Sequence, residues 1–434
     1  ARAAAAAADP DDALDASLQD DDDDGDDDDE DEDDASRRGM VIRPSRAFSS
    51  LPKSSTGYVG LTNLGCTCYL NSILQQLFMM PTFRRAVLEF EDDDDDDEGG
   101  EDAAEDLIFQ LQNMFAHLQN SEKASYNPRA FTNAFRDWDN MPIDVLVQQD
   151  ASEFFSNLLT KLEGKLMGTE FENLLRDTVQ GTVSQELLAQ PEKYRAREDV
   201  FYLIEVPIQN LRSLEESMHK FIEGETVEYT WEEESGEADE NGEKVVRKET
   251  LNTTKRLSLK KLPPHLVIHL KRFDFDYETF QQVKLNDYFE FPTDMDMREF
   301  TQDGRADATP LDQRGKGDKD GGEGEGGAGS DAEEYAALPD DYFQYELTGI
   351  VIHMGTANSG HYYSYIRERD SDNKWFEFND TYVGEFDPDD IPAECFGGEE
   401  EVNYMYGGYG NNAGVGGGVG GGVGAGAGGA ARPQ

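Results

Sequence analysis

Apolar residues recur with two different periods along this chain, and the change from one to the other divides it. From position 68 they fall at Leu70, Ile73, Leu74, Leu77 and Phe78, the stripe of an amphipathic helix. Thr67 stands where an N-cap belongs, and Pro81 closes the run. "DLIFQLQNMFAHL" and "DASEFFSNLLTKLEGKL" repeat the helical spacing. After Phe171 the period shortens. "HLVIHLKRF", "YELTGIVIHM", "HYYSYIRE" and "KWFEFND" are short, β-branched or aromatic, and bounded by turn residues, which predicts strands. Helices first and strands later predict an α+β fold with an interface between the two parts.

Four segments carry no such pattern. Residues 1–56 are acidic and of low complexity, with "DDDDDGDDDDEDEDD" from Asp20 repelling itself and offering nothing to bury. "EDDDDDDEGGED" from Glu91 interrupts patterned sequence and reads as a surface loop. A Gly-rich insert spans about 301–341, and residues 407–434 form a Gly-rich tail. The formal charge of -55 over 434 residues argues against nucleic acid or anionic membranes and favours a basic partner. For the acidic runs themselves, solubility is explanation enough. No apolar stretch is long enough to span a membrane, and the opening alanines, cut by Asp9, do not make a signal peptide. The expectation is a cytoplasmic or nuclear protein.

Three cysteines exclude a disulfide framework and suit a reducing compartment. Cys66 and Cys68 sit in "LGCTCYLNS", and Cys395 stands alone. Structural zinc needs four ligands, usually in two separated pairs, and no second pair exists, so neither metal nor cofactor is expected. A disulfide across one intervening residue would be strained. What remains is a nucleophile or a buried structural thiol, and on these residues alone both stand open. Position favours Cys68 as nucleophile. It begins the helix, where free N–H groups and the helix dipole stabilise a thiolate.

A thiolate needs a base, and the base an orienting partner. "SGHYYSYIRERDSDNKWFEFNDTYV" predicts an antiparallel hairpin turning about Asp370. With Arg367 opposite Asn373, Tyr365 faces Trp375 and His361 faces Asn379. A slip of one would bring Asp380 there instead. His353, on another strand, has no such mate and reads as structural.

These segments together resemble the ubiquitin-specific proteases, papain-like cysteine deubiquitinases. "GYVGLTNLGCTCYLNSILQQLFMMP" is similar to their Cys box, and the hairpin to their His box. "VQQDASEFFSNLLTKLE" and "LPPHLVIHLKRFDFD" with "VKLNDYFEFP" match further family segments in family order. The last of these looks closest to the very large members. The resemblance implies a catalytic domain over 57–406, with a helical thumb about 57–178, β fingers about 179–260 and a β-rich palm about 261–406. It implies Cys68 as nucleophile, His361 as base, Asn379 as third member with Asp380 in a secondary role, and Asn63 as oxyanion donor. Asp150, Gln149, Gly360 and Tyr362 would meet the substrate, Asp150 pairing with an arginine of ubiquitin's tail. Ubiquitin and ubiquitinated proteins are the implied partners of a monomeric domain.

The chain departs from the family pattern twice. The fingers lack the Cys-x-x-Cys pairs of a zinc ribbon, so no zinc binds there. In place of the family's closing palm strand, the chain offers only "EVNYMY" at 401–406. Two alternatives follow: a catalytically impaired ubiquitin-binding module, or a protease for another Gly-Gly-tailed modifier.

Overall fold

The computed structural model describes residues 52–91, 104–189, 193–238, 244–308, 338–357, 359–369 and 373–398. The acidic tail before residue 52, the body of the run after Glu91, the turn at 370–372 and everything after 398 lie outside the described residues. Residues 52–56, expected in the tail, instead pack on the domain: Lys53 N–H donates to Glu122 O and Ser54 Oγ to Val383 O. The Gly-rich insert is also narrower than expected. Thr301 and Gln302 are buried, and only 309–337 fall outside the described residues.

The first part is helical. A short parallel pair, β1 (Gly60–Leu61) and β2 (Ser125–Tyr126), brackets α1 (Cys68–Phe78), α2 (Pro81–Glu89) and α3 (Leu107–Asn120). α4 (Arg129–Ala134) and α5 (Ala151–Leu166) complete it. Ten of the eleven residues of α1 are buried, so the helix is central rather than a surface stripe. One side meets α5, where the Tyr69 and Phe154 rings lie edge-to-face with centroids 5.5 Å apart. Thr67 occupies the N-cap position but does not cap. Its hydroxyl accepts from Leu64 N–H inside the preceding loop.

Strands follow. β3 (Gly181–Ala189) and β4 (Lys193–Phe201) begin the fingers, but β5 (Ile204–Pro207) and α6 (Leu214–Ile222) then leave them. The fingers resume with the long hairpin β6 (Glu225–Ala238) and β7 (Lys244–Lys261), giving sheet order β4-β3-β7-β6. Within the span 179–260, β5 and α6 thus lie between the two halves of this sheet. β5 pairs in parallel with β8 (Ile268–Lys271) and its Ile204 and Val206 join the core at the base. In the finger sheet Glu186, fully buried, accepts from Arg256 Nε at 2.8 Å and Gln302 Nε2 at 3.0 Å, and Tyr194 donates to it at 2.8 Å. This satisfied network ties three finger segments together with no thiol.

The hairpin β9 (Phe273–Asp276) and β10 (Gln281–Lys284) and the pair β11 (Asp294–Asp296) and β12 (Gln344–Glu346) lead to a four-stranded antiparallel sheet. Its strands are β13 (Gly349–Thr356), β14 (Ser359–Arg367), β15 (Trp375–Asn379) and β16 (Tyr382–Phe386), in chain order. β14 lies against α1, with Ser364 Oγ donating to Ser72 O. The β14–β15 register corrects the expected one by two residues: Ser364 pairs with Phe378 and Arg367 with Trp375. The loop is longer than a tight turn and closes through Glu368 N–H to Lys374 O, with Asn373 at φ +58°. His361 is thus not directly opposite Asn379. A shift of two leaves every side chain on its original face.

After β16 comes the short helix α7 (Ile391–Cys395), and Phe396 O just beyond it accepts from Nη2 of Arg272, the residue after β8, at 3.4 Å. A cavity of about 1420 Å³ borders β8 and β13, lined among others by Ile73 and Leu77 of α1, Met80, Ile268 and Leu270 of β8 and Ile350 of β13. Among the described residues each of these two strands has a neighbour on one edge only. Gly398, the last described residue, lines the cavity too.

Candidate active site

Four chain segments converge at the N-terminus of α1. The first is the loop before it. Asn63 Oδ1 accepts from the N–H groups of Gly65 (2.9 Å) and Thr67 (3.1 Å), folding the loop around its own side chain. Cys66 N–H donates to Val145 O at 2.7 Å, anchoring the loop to the segment before α5. Cys68 opens the helix and is buried. Cys66 is half-buried, and its thiol is pushed up by burial and then by the neighbouring Cys68 and Asp144. Fewer Cys66 thiolates exist at neutral pH as a result.

His361 comes from β14. Its Nε2 lies 2.7 Å from Asn379 Oδ1 and 3.9 Å from Asp380 Oδ2. With Nε2 facing Asn379, Nδ1 is the nitrogen left for Cys68. The hydrogen bond with Cys68 is the main reason that the imidazole is pushed up to about 9. Burial opposes the rise; Asn379 and the Asp380 charge add to it. Asn379 is itself oriented, donating from Nδ2 to Glu377 Oε1 at 3.0 Å.

Asp380 follows at φ +51°, a left-handed conformation that costs an ordinary residue about 1–2 kcal/mol. The turn aims its carboxylate inward. Oδ2 accepts from Asn63 Nδ2 at 2.9 Å and Oδ1 from Asn71 Nδ2 at 2.8 Å. Its carbonyl accepts from Leu61 N–H, an approach only Gly60 permits: a Cβ there would lie 2.5 Å from that oxygen.

The chain matches the family model "Ubiquitin carboxyl-terminal hydrolase" over residues 59–406, four-fifths of its length, and this stretch contains the whole constellation. The chain belongs to the ubiquitin carboxyl-terminal hydrolase family. Human ubiquitin carboxyl-terminal hydrolase 24 is 35% identical over 365 residues, and mouse ubiquitin carboxyl-terminal hydrolase 9X 32% over 400. These matches take in 82% and 80% of this chain but only 13% and 15% of the two relatives. The chain therefore spans about one-seventh of the length of these relatives. Among solved structures, one of the SAGA Ubp8/Sgf11/Sus1/Sgf73 DUB module bound to ubiquitin aldehyde superposes with a TM-score of 0.58 at 22% identity. That match covers 79% of this chain and 68% of the other. It shows the fold, an α+β papain-like arrangement.

The residues expected at the substrate lie at the start of α5 and on β14. Asp150 caps α5, its Oδ1 accepting from Ser152 N–H (2.7 Å) and Oγ (2.6 Å). Gln149 is half-buried beside it. Tyr362 is buried, bonded to the Ala151 backbone and 4.6 Å between ring centroids from His353. Gly360 sits where a Cβ would lie 2.2 Å from Met354 O and 2.3 Å from His353 Nε2, so nothing larger fits.

Sequence reasoning missed two side chains. Gln148 Oε1 accepts from Gly360 N–H at 2.9 Å, while its Nε2 lies 3.3 Å from His353 Nε2. It joins the start of α5 to the strands carrying both histidines. Burial, then the Lys284 charge, pushes His353 down to about 4, so it is a neutral packing partner. The doubled glutamine in "VQQD" was the available signal. Asn71, buried and one turn beyond Cys68, had none.

Proposed function

We propose that this domain is a thiol-dependent deubiquitinase that hydrolyses the peptide or isopeptide bond after the C-terminal Gly-Gly of ubiquitin. The observation that carries the reading is the line Cys68–His361–Asn379 inside the family match, with His361 held protonated by its neighbours. Cys68 thiolate attacks the scissile carbonyl, and the carbonyl oxygen takes the negative charge. Asn63 has two amide hydrogens, of which Asp380 takes one; the other serves the oxyanion, as does the N–H of Cys68, which has no acceptor within the helix. His361 then gives its proton to the leaving amine. As a neutral base it takes a proton from water, and the resulting hydroxide releases the acyl group from Cys68. Asn379 keeps the ring aligned through both steps.

Asp150 uses one oxygen for its helix, leaving the second for an arginine of the ubiquitin tail. The acidic composition suits that tail. Three free thiols, one of them reactive, suit the reducing cytoplasm or nucleus. The test is hydrolysis of ubiquitin carrying a C-terminal fluorophore by the parent and by Cys68→Ala, with other Gly-Gly-tailed modifiers alongside. Release by the parent alone supports the reading. Binding without release indicates a ubiquitin-binding module, and preference for another modifier moves the substrate class.

A further inference from the structure

We propose that Asn71 is a positioning residue of this active site, acting on His361 and Asn63 by holding the Asp380 carboxylate between them. The inference rests on the reading of Cys68 and His361 as the reacting pair.

Asn71 follows Cys68 by three residues, so both lie on one face of α1. Its side chain is 2% exposed. Nδ2 donates to Asp380 Oδ1 at 2.8 Å, while Oδ1 is buried with no partner among the described residues. An orphaned amide oxygen is unusual, because most buried polar groups in folded proteins are bonded. Turning the amide over would set its oxygen against the carboxylate, so Asp380 fixes the orientation and the orphan is its consequence. A residue retained for packing alone would carry no such cost, and a leucine would fill the volume.

The gain lies on the carboxylate. With Oδ1 held by Asn71, Oδ2 is left to face Asn63 Nδ2 at 2.9 Å and His361 Nε2 at 3.9 Å together. One anchor thereby sets the aim of the oxyanion donor and places a negative charge beside the imidazolium. The anchor belongs to the nucleophile's own helix. Any movement of α1 therefore carries Cys68 and the carboxylate together, and their spacing to His361 changes in concert. Among the described residues, the charged or titratable groups facing His361 are Cys68 on α1, Asp380 after β15, His353 on β13 and, stacked on the imidazole from its own strand, Tyr363.

Three readouts test the proposal on the whole chain: steady-state ubiquitin hydrolysis, thermal unfolding, and the pH dependence of Cys68 alkylation by iodoacetamide. Alkylation is followed by mass spectrometry of the Cys68 peptide and needs no ubiquitin. Asn71→Ala should lower kcat about tenfold with KM within about twofold, and move the alkaline limb of the alkylation profile to lower pH. On an Asp380→Ala background the same substitution should cost almost nothing, since its target is gone. The exchanged pair Asn71→Asp with Asp380→Asn restores one amide–carboxylate bond but moves the charge away from His361. It should recover parental thermal stability and keep the lowered limb. An undiminished kcat penalty without Asp380, or a parental limb in the exchanged pair, overturns the proposal. So does a loss of melting temperature with kcat and limb intact. If the parent fails to hydrolyse ubiquitin, the deubiquitinase reading falls, while the alkylation limb still decides the role of Asn71.

Discussion

Asn379 reaches His361 on the diagonal. Extending the Ser364–Phe378 register puts position 381 across from His361, two residues beyond Asn379, yet Oδ1 and Nε2 are 2.7 Å apart. Diagonal neighbours on one face lie within reach of long side chains, and β15 ends at Asn379, freeing that side chain to lean toward the base. Asp380 is one residue on, but its left-handed backbone turns its carboxylate toward α1. Asn379→Ala should therefore reduce kcat by roughly a hundredfold with little change in KM. Asp380→Ala should reduce it less, because the ring keeps its direct partner. The reverse order in measured kcat would assign the orienting role to Asp380.

Cys68 should be the sole nucleophile. An electrophilic ubiquitin probe should label the parent and Cys66→Ala and leave Cys68→Ala unlabelled. Cys66 sits in the loop with its thiol pushed up, and its loss should change stability by about 1 kcal/mol or less. Labelling that vanishes with Cys66 would reverse the assignment.

The pH dependence follows from His361. Its value is raised from 6.5 to about 9, so the protonated ring is favoured by the fold. That contribution is fully present below 6.5 and disappears as pH rises through about 9. The leaving amine needs the same proton. kcat/KM should hold across neutral pH and fall with an alkaline limb near 9. Asn379→Ala removes one of the groups raising the ring and should move that limb downward; an unmoved limb would mean that another group titrates.

The fingers should depend on one buried pair. Arg256→Ala leaves the fully buried Glu186 carboxylate without its cation, which costs about 3–5 kcal/mol. Burial alone would raise Glu186, but the Gln302 hydrogen bond, the Arg256 charge and the Tyr194 hydrogen bond outweigh it and hold the carboxyl below its ordinary value. Its stabilising effect is present above about pH 4.5 and is lost on acidification. Melting curves of parent and Glu186→Gln should differ at pH 7 and converge toward pH 3. Parallel curves would remove Glu186 from the acid response.

The cavity bordering β8 and β13 predicts unequal consequences of shortening the chain. Gly398 lines it, and the family match continues to 406. Removing 407–434 should leave melting temperature and hydrolysis unchanged, whereas removing 399–434 should lower both. Six residues in extended form reach about 20 Å, enough for the whole four-residue edge of β8 or most of the eight-residue edge of β13. Equal behaviour of the two truncations would show that the residues up to 406 contribute nothing there.

Local pattern determined much of this protein. Helical spacing located α1, α3 and α5, because burying one face forces that period on any sequence, and short β-branched or aromatic runs located β8, β13, β14 and β15. Alternation settled which face His361 and Asn379 share. It is blind to a shift of two, which preserves every face, so the register waited on the real length of the 368–374 loop. Composition marked the fingers as lacking thiols, but not what replaces them. The Glu186 network draws on β3, β4, β7 and the segment at 302, and no local period records such a meeting. The same holds at the active site. Gln148 meets Gly360 across 212 residues and Asn71 meets Asp380 across 309. Hydrogen bonds between distant segments leave no periodicity in the chain, and only the packing of α1 against the sheet brings them within reach.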